Sequence, residues 1–259
     1  MNTIRTDVPV DHVIFFAGYR LAELASFFEG VGFNLTPLGR HNSGSANRLA
    51  MLGDSKYIEL MGFEPGTPKT VRPELQSLPL GLNGIVATDI AGRTRRCGSE
   101  GLNPPVHLER RVDTAHARGT ASFTITTVRE SIPDARTFMC RHHTPQLVWQ
   151  DAWQSHANCA QVYVALRLAT QHPQSLHRGL RTIFDIVGDT QADAYDLAGT
   201  LLQVVPASER SSLTVRTSDL TRATGVLRAS GIAHTVEGAR VVVPLPAPYT
   251  ADLIFTAAP

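Results

Sequence analysis

The sequence predicts an α+β fold assembled from tandem copies of one strand–helix–strands module. Three observations carry that reading. From the first apolar residue of a helix to the glycine that closes it, Leu21 to Gly32, Ile90 to Gly101 and Leu220 to Gly231 are each 11 residues apart. A short β-prone run precedes each of these helices, and the same order returns along the chain. Self-similarity of this kind takes precedence over single elements, because overlooking it misassigns the whole fold.

Val10–Phe16, rich in Val, Ile and Phe, reads as the opening strand of the first module. Leu21, Leu24, Ala25 and Phe28 then recur at helical spacing, and Gly32 stops the helix. Arg48–Leu52 and Lys56–Phe63 are strands around the turn Gly53-Asp54-Ser55. In the second module Gly84–Thr88 is the strand, Asp89-Ile90 opens the helix, and Thr137–His143 is the last strand. A third copy lies between Val162 and Val205, with Pro173–Asp185 as its helix and Gly188 as its stop. The fourth begins with strand Ser212–Thr217 and a helix opening at Asp219-Leu220, and late strands at Arg240–Leu245 and Ala251–Thr256 follow. One such module cannot cover its own sheet, so modules pair to enclose a core. Ser77–Leu82 links the first two modules and Pro145–Asn158 links the halves, which divides the chain into 1–150 and 151–259.

Composition narrows the function. The 259 residues carry 24 basic and 23 acidic side chains, a net charge of +1, with 42% hydrophobic and 18% charged residues. That near-neutral balance lacks the basic footprint of a nucleic-acid binder or of a membrane-surface protein. No run approaches the roughly 18 apolar residues needed to cross a bilayer, and Met1–Val10 has no signal-peptide core. Cys97, Cys140 and Cys159 are odd in number and lack C-x-x-C spacing, which fits a reducing compartment; the cytoplasm is the expected location. The partners left are a small-molecule substrate or ligand and a second copy of the chain in a homodimer.

Several residues stand out against this background. His12 lies in the first strand, where alternation puts His12, Ile14 and Phe16 on one face. Glu59 lies in the apolar strand Tyr57-Ile58-Glu59-Leu60-Met61, and burying a carboxylate there costs several kcal/mol unless it is paired or metal-bound. An edge strand facing solvent would avoid that cost. His142 and His143 close the second module at the corresponding place, and since they point to opposite faces only one enters a shared site. Imidazole and carboxylate on three strands make a ligand set for Fe(II), Mn(II), Ni(II) or Zn(II). The Gly39–Arg48 loop is either a plain turn or a means of presenting His41 and Asn47 over a pocket. Trp149, Trp153 and His156 follow the second module, where the tryptophans either seal the junction or stack on a ligand.

Repeated βαβββ units with a His in the first strand and a Glu in the fourth resemble the vicinal oxygen chelate superfamily, the glyoxalase, bleomycin-resistance and extradiol dioxygenase group. More narrowly, Asp11-His12-Val13, the His41–Asn47 loop with Arg48-Leu49, and Tyr57-Ile58-Glu59-Leu60 are similar to its glyoxalase-like domain subgroup. Phe138–Asn158, with Cys140, His143, Trp149 and His156-Ala157-Asn158, is similar to the two-domain members. The resemblance implies two half-open barrels and a divalent metal that chelates vicinal oxygens of the substrate. It makes His12, Glu59 and His143 the metal ligands, with His142 as the substitute for His143. It also leaves a gap, because Gly84–Thr88 offers no His, Glu or Gln; His41, His156 or water would fill it.

Two functions follow from these readings. One is a metal-dependent lyase, isomerase or dioxygenase, with Glu59 as ligand or as proton-shuttling base, His41 assisting catalysis, and Asn47, Phe138, Trp149 and His156 contacting substrate. A base role suits Glu59 only if burial raises its pKa towards neutrality. The other is a metal-free protein that sequesters a small, partly apolar molecule. No basic cluster near the site is apparent in the sequence, which argues against glutathione. Modules three and four carry no comparable residues, so the second half is expected to support the first.

Overall fold

The computed structural model describes residues 2–90, 98, 100–188 and 192–257. Its first half contains β1 (Thr3–Thr6), β2 (Val10–Phe16), α1 (Leu21–Gly30), β3 (Gly39–Arg40), β4 (Ala46–Met51), β5 (Tyr57–Gly62) and the short α2 (Pro73–Gln76). Then come β6 (Gly81–Thr88), β7 (Val106–Asp113), β8 (Arg118–Thr127) and β9 (Arg136–His142). The second half holds β10 (Ala160–Thr170), α3 (Pro173–Ile183), β11 (Ala194–Leu197), β12 (Thr200–Pro206) and β13 (Ser211–Thr217). It ends with α4 (Leu220–Ala229), β14 (Thr235–Glu237), β15 (Arg240–Pro244) and β16 (Ala251–Ala257). The helix expected between Ile90 and Gly101 lies largely outside the described residues.

Among the described residues, sixteen strands form two eight-stranded, cupped sheets, ordered β3-β4-β5-β2-β6-β9-β8-β7 and β1-β11-β12-β10-β13-β16-β15-β14. In each sheet the opening strands of two modules meet antiparallel at the centre, β2 with β6 and β10 with β13. Each opening strand also pairs in parallel with the last strand of its own module. The fold is therefore α+β, four modules forming two half-open barrels. One strand departs from the repeat: β1, unread in the sequence, runs parallel to β11 and takes the edge position in the third module. No described helix is long and apolar enough to cross a membrane.

The 11-residue spacing turns out to be a repeat of helix endings. Beyond α1, Gly32 sits at φ +98°, with Gly32 N–H donating to the Glu29 carbonyl and Phe33 N–H to that of Phe28. Beyond α4, Gly231 sits at φ +65° and Ile232 N–H donates to the Leu227 carbonyl in the same way. These left-handed closures are the positions glycine fills without steric cost. Between opening and closure, α1 buries Leu21, Leu24, Ala25 and Phe28 as one stripe against the convex side of its sheet. A single apolar core joins the halves there, with Phe33 between Phe28 and Phe255. Two polar links also span them: Lys56 Nζ donates to Thr200 Oγ1 at 2.9 Å, and His156 bridges Asn34 and Met51.

The hairpin β7–β8 has no counterpart in the sequence reading. Val106, Leu108 and Val112 alternate with His107, Glu109, Arg111 and Asp113 there, but Arg110 interrupts the apolar face and most of the strand is exposed. The segment read as a linker, Ser77–Leu82, already enters β6 at Gly81.

At the centre of the first sheet, β2 carries an irregularity between Val10 and His12 in its pairing with β6. A bulge of this kind re-aims side chains. Val10 and Val13 consequently both join the convex core, while Asp11 and His12 both turn to the polar site on the concave side. Across from Ile14, β6 has Gly84, where an added Cβ would lie 2.6 Å from the Ile14 Cβ. Ile14 thus fills the space beside Gly84, and Val86 is the side chain that β6 adds to the same apolar cluster. Gly84→Ala should lower stability by about 1–3 kcal/mol through overpacking. Urea unfolding checks this, and an unchanged midpoint would contradict the close approach.

Candidate functional site

The concave face of the first sheet encloses an open cleft of about 670 Å³. His12, His41, Asn47, Tyr57, Glu59, Phe138, Cys140 and His142 line it, with Phe123, Leu49, Met61 and Val148 as apolar wall. β2 and β5 run parallel with His12 opposite Tyr57 and Ile14 opposite Glu59, so His12 and Glu59 fall on one face. The His12 ring stacks on Tyr57 with centroids 4.3 Å apart, which fixes its plane. Both His12 and Glu59 are buried.

A chain of polar contacts runs through these residues. His12 Nδ1 lies 2.6 Å from Asp11 Oδ1, and His12 Nε2 lies 3.5 Å from Glu59 Oε2. Asn47 Nδ2 donates to Glu59 Oε1 at 2.7 Å and meets His41 Nε2 at 3.3 Å. His41 Nδ1 lies 2.8 Å from Ser45 Oγ, and Arg110 Nη1 donates to Asn47 Oδ1 at 3.2 Å. The network assigns His41 a proton on Nδ1, donated to Ser45 Oγ, and an Nε2 that accepts from the Asn47 amide.

Charge state follows from the same contacts. Burial alone would raise the Glu59 carboxyl, but His12, His41 and Asn47 outweigh it and hold the pKa at about 2. Burial opposes the protonation of His12, yet Asp11 and Glu59 overcome it and raise its pKa. Burial acts against Asp11 as well, and His12 and His142 reverse that, keeping its pKa low. His41 is different: burial lowers it to about 4, Glu59 pulls upward, and Arg110, Arg72 and Arg136 add to the depression. Glu59 is thus a permanent anion and His41 a neutral imidazole. A shuttling base would need the opposite shift at Glu59, so its environment suits a cation's ligand better.

The second module contributes through β9. His142 Nε2 lies 3.2 Å from Asp11 Oδ1 and 3.5 Å from Cys140 Sγ, and one donor atom from each of the three lies within 4.8 Å of the others. His143 is placed elsewhere. Strand alternation turns it to the outer face, where it is exposed and its Nε2 pairs with Thr124 Oγ1 at 2.8 Å. His142 is therefore the histidine that enters the cleft. His156 also lies away from it, since both ring nitrogens are taken by the Asn34 N–H and the Met51 carbonyl. Trp149 packs against His142 and Tyr57, with ring centroids at 4.6 and 5.8 Å, and braces the two rings. Phe138, His41 and Asn47 stand in the cleft wall.

Sequence reasoning missed Asp11, because a bulge has no signature in a strand's alternation. It also missed Cys140, adjacent in the sequence to residues of no evident role, and three arginines, Arg72, Arg110 and Arg136, that line the cleft from three different segments. Nothing in their spacing announces that they meet.

The donor set fits a divalent cation. Two ligands each about 2.1 Å from one metal, at tetrahedral or octahedral angles, stand roughly 3.0–3.4 Å apart. The 3.5 Å between His12 Nε2 and Glu59 Oε2 is close to that separation. Asp11 on Nδ1 supplies the carboxylate–histidine support that orients metal-binding imidazoles.

A glyoxalase-like domain profile matches residues 10–184. Among solved structures, 97% of the chain is similar to the whole of a hypothetical protein from Staphylococcus aureus, at a TM-score of 0.65 and 11% identity. Over 98% of its length it is similar to 49% of a xylose isomerase-like TIM barrel/4-hydroxyphenylpyruvate dioxygenase fusion protein, at a TM-score of 0.55 and 11% identity. A mutant of 4-hydroxymandelate synthase from Streptomyces coelicolor aligns over 98% of this chain and 94% of its own, at a TM-score of 0.49 and 12% identity. At such identities the likeness concerns the fold alone. No curated protein matches the sequence.

Glu59 also makes a pH prediction for chelator-treated protein. Its carboxyl is depressed from 4.5 to about 2 by folding, so its ionised form stabilises the fold above the ordinary carboxylate pKa. That contribution should fade as pH falls from 4.5 through about 2. The stability difference between wild type and Glu59→Gln, measured by urea unfolding, should be largest between the ordinary carboxylate and imidazole pKa values of 4.5 and 6.5, where His12 is charged in both states, and shrink in acid. A difference that persists unchanged in strong acid would contradict the assignment.

Proposed function

Because the chain belongs to the glyoxalase-like domain family of the vicinal oxygen chelate superfamily, we propose that its first half is a divalent-metal-dependent enzyme acting on a small organic molecule. The reaction is of lyase, isomerase or dioxygenase type. One observation carries this reading: a buried imidazole and a buried carboxylate 3.5 Å apart, at the centre of a cleft, with a second carboxylate orienting the imidazole. His12 and Glu59 would hold Fe(II), Mn(II), Ni(II) or Zn(II), while His142, the second module's histidine, stands against Asp11 on the Nδ1 side of His12. Bound there, the metal supplies Lewis acidity that neutralises negative charge developing on substrate oxygens.

The chain's own residues do the remaining work. Asn47 holds Glu59 by one oxygen and leaves the other towards His12. His41, neutral and held between Ser45 and Asn47, keeps the Asn47 amide turned towards Glu59. Phe123 and Phe138 exclude water from one side of the substrate. Tyr57 and Trp149 keep His12 and His142 in plane.

A second reading has its own support. Glu59 is already satisfied by Asn47 and His12 without any cation, as a metal-free sequestering protein would require. Titration calorimetry on chelator-treated protein separates the two. The enzyme reading expects stoichiometric uptake of one of the four metals, strong loss in His12→Ala and Glu59→Gln, and about 10–100-fold weakening in Asp11→Asn. Absence of uptake, with small-molecule binding intact in His12→Ala, would establish sequestration instead.

A further inference from the structure

We propose that the molecule taken by this cleft carries a carboxylate group on an apolar body, and that Arg136 and Arg110 recognise it. The inference rests on the cleft being a small-molecule site, whether or not a metal occupies it, and adds the chemical class of the ligand.

The argument starts from charge. Arg72, Arg110 and Arg136 all line the cleft, reaching it from the turn before α2, from β7 and from the start of β9. Arg72 is neutralised, since its Nε meets Glu74 at 2.5 Å and its Nη1 meets Ser43. The other two are not. Arg110 donates to the neutral amide oxygen of Asn47, and among the described residues it has no carboxylate within ion-pair distance. Arg136 has its Nε buried without a hydrogen-bond partner, and its guanidinium lies over the Phe138 ring with Cζ 4.8 Å from the centroid. Stacking on a ring satisfies the face of a guanidinium and leaves its edge of N–H donors open.

An unpaired guanidinium against an apolar wall is costly, and a fold keeps one there only if something offsets it. Burial, with Arg72 adding repulsion, brings Arg136 down to about 10, which reports that cost. Glu59 and Glu74 counter it only through space, and among the described residues no carboxylate pairs with it: Glu59 is engaged by His12 and Asn47, and Asp11 by His12 and His142. The missing counter-charge therefore belongs to the ligand. A planar carboxylate matches the guanidinium fork in bidentate fashion. Glu59, anionic in the cleft lining, and Asp11, against His12, disfavour a dianion such as phosphate. The wall beyond the arginines is Phe123, Phe138 and Met61, which calls for an apolar remainder. Arg136 and Arg72 also border a second open cleft of about 860 Å³, so the guanidinia stand where the two spaces adjoin.

The test uses the full chain, once chelator-treated and once metal-loaded, with aryl and alkyl carboxylates, their neutral amides and inorganic phosphate as probes. Binding is read by calorimetry and by fluorescence, for which Trp149 beside His142 is a local reporter. Carboxylates should bind about 10–100-fold more tightly than the matched amides, phosphate should bind more weakly than either class of preferred carboxylate, and Arg136→Met should abolish the preference. Without ligand, Arg136→Met should melt at the same temperature as wild type or higher, because it removes an unpaired charge. Arg110→Gln is the second variant and should weaken carboxylates without affecting the amides.

Equal binding of carboxylates and amides, no carboxylate binding across the series, or a preference that survives both substitutions would overturn the proposal. So would a tighter response to phosphate. The metal reading fails separately: carboxylate preference in chelator-treated protein that never takes up metal leaves this proposal standing and removes the enzyme.

Discussion

Antiparallel pairing of β2 with β6 is the contact on which the rest of the site depends. Each strand begins a module, and each is bound on its other side to the last strand of that module. Their union places the last strands β5 and β9 on either side of the central pair, so that residues from Tyr57–Gly62 and Arg136–His142 face one cup. The same joint absorbs an extra residue at Asp11, and the resulting bulge delivers a carboxylate to the imidazole beside it. Without the bulge, alternation would send Asp11 into the convex apolar core.

The cup then has to satisfy the charges it buries. Asp11, His12 and Glu59 alternate in sign, and Asn47 ties the last of them to His41 and Arg110. Such a network is favourable only when nearly every member has a partner. It closes around Asp11, His12 and Glu59 and stays open at His142 Nδ1 and Arg136 Nε, so the site is polarised, with paired carboxylates on one side and unmatched guanidinia on the other. The second sheet has no comparable set of donors facing inward among its described residues. Its role in the fold is visible instead in the shared core around Phe33, in the Lys56–Thr200 contact, and in β1, which leaves the N-terminus to complete its edge.

How much of this could be read in advance depends on the range of the interaction. Helix openings and closures are local, set by side chains three and four apart and by glycines that tolerate positive φ, and the repeat of modules was legible for that reason. His12 and Glu59 were conspicuous because a polar residue in an apolar strand is itself the signal. The histidine of the second module was half legible: alternation said that one of the adjacent pair enters, and the register of β9 against β6 and β8 chose His142 over His143. His156 misled because a histidine serving two backbone groups across a junction looks, in sequence, like one awaiting a ligand.

By itself, then, the sequence determined the modules, their pairing, and two of the residues at the centre of the cleft. Tertiary structure decided which further groups surround them: Asp11 through a bulge, Cys140 and His142 through register, and Arg72, Arg110 and Arg136 through the convergence of three distant segments. The physical reason is that periodicity encodes contacts only along a single element. Convergence across a sheet is fixed by hydrogen-bond register, which no short stretch of sequence contains. The absence of a basic cluster, inferred from residues scattered along the chain, was reversed by that convergence.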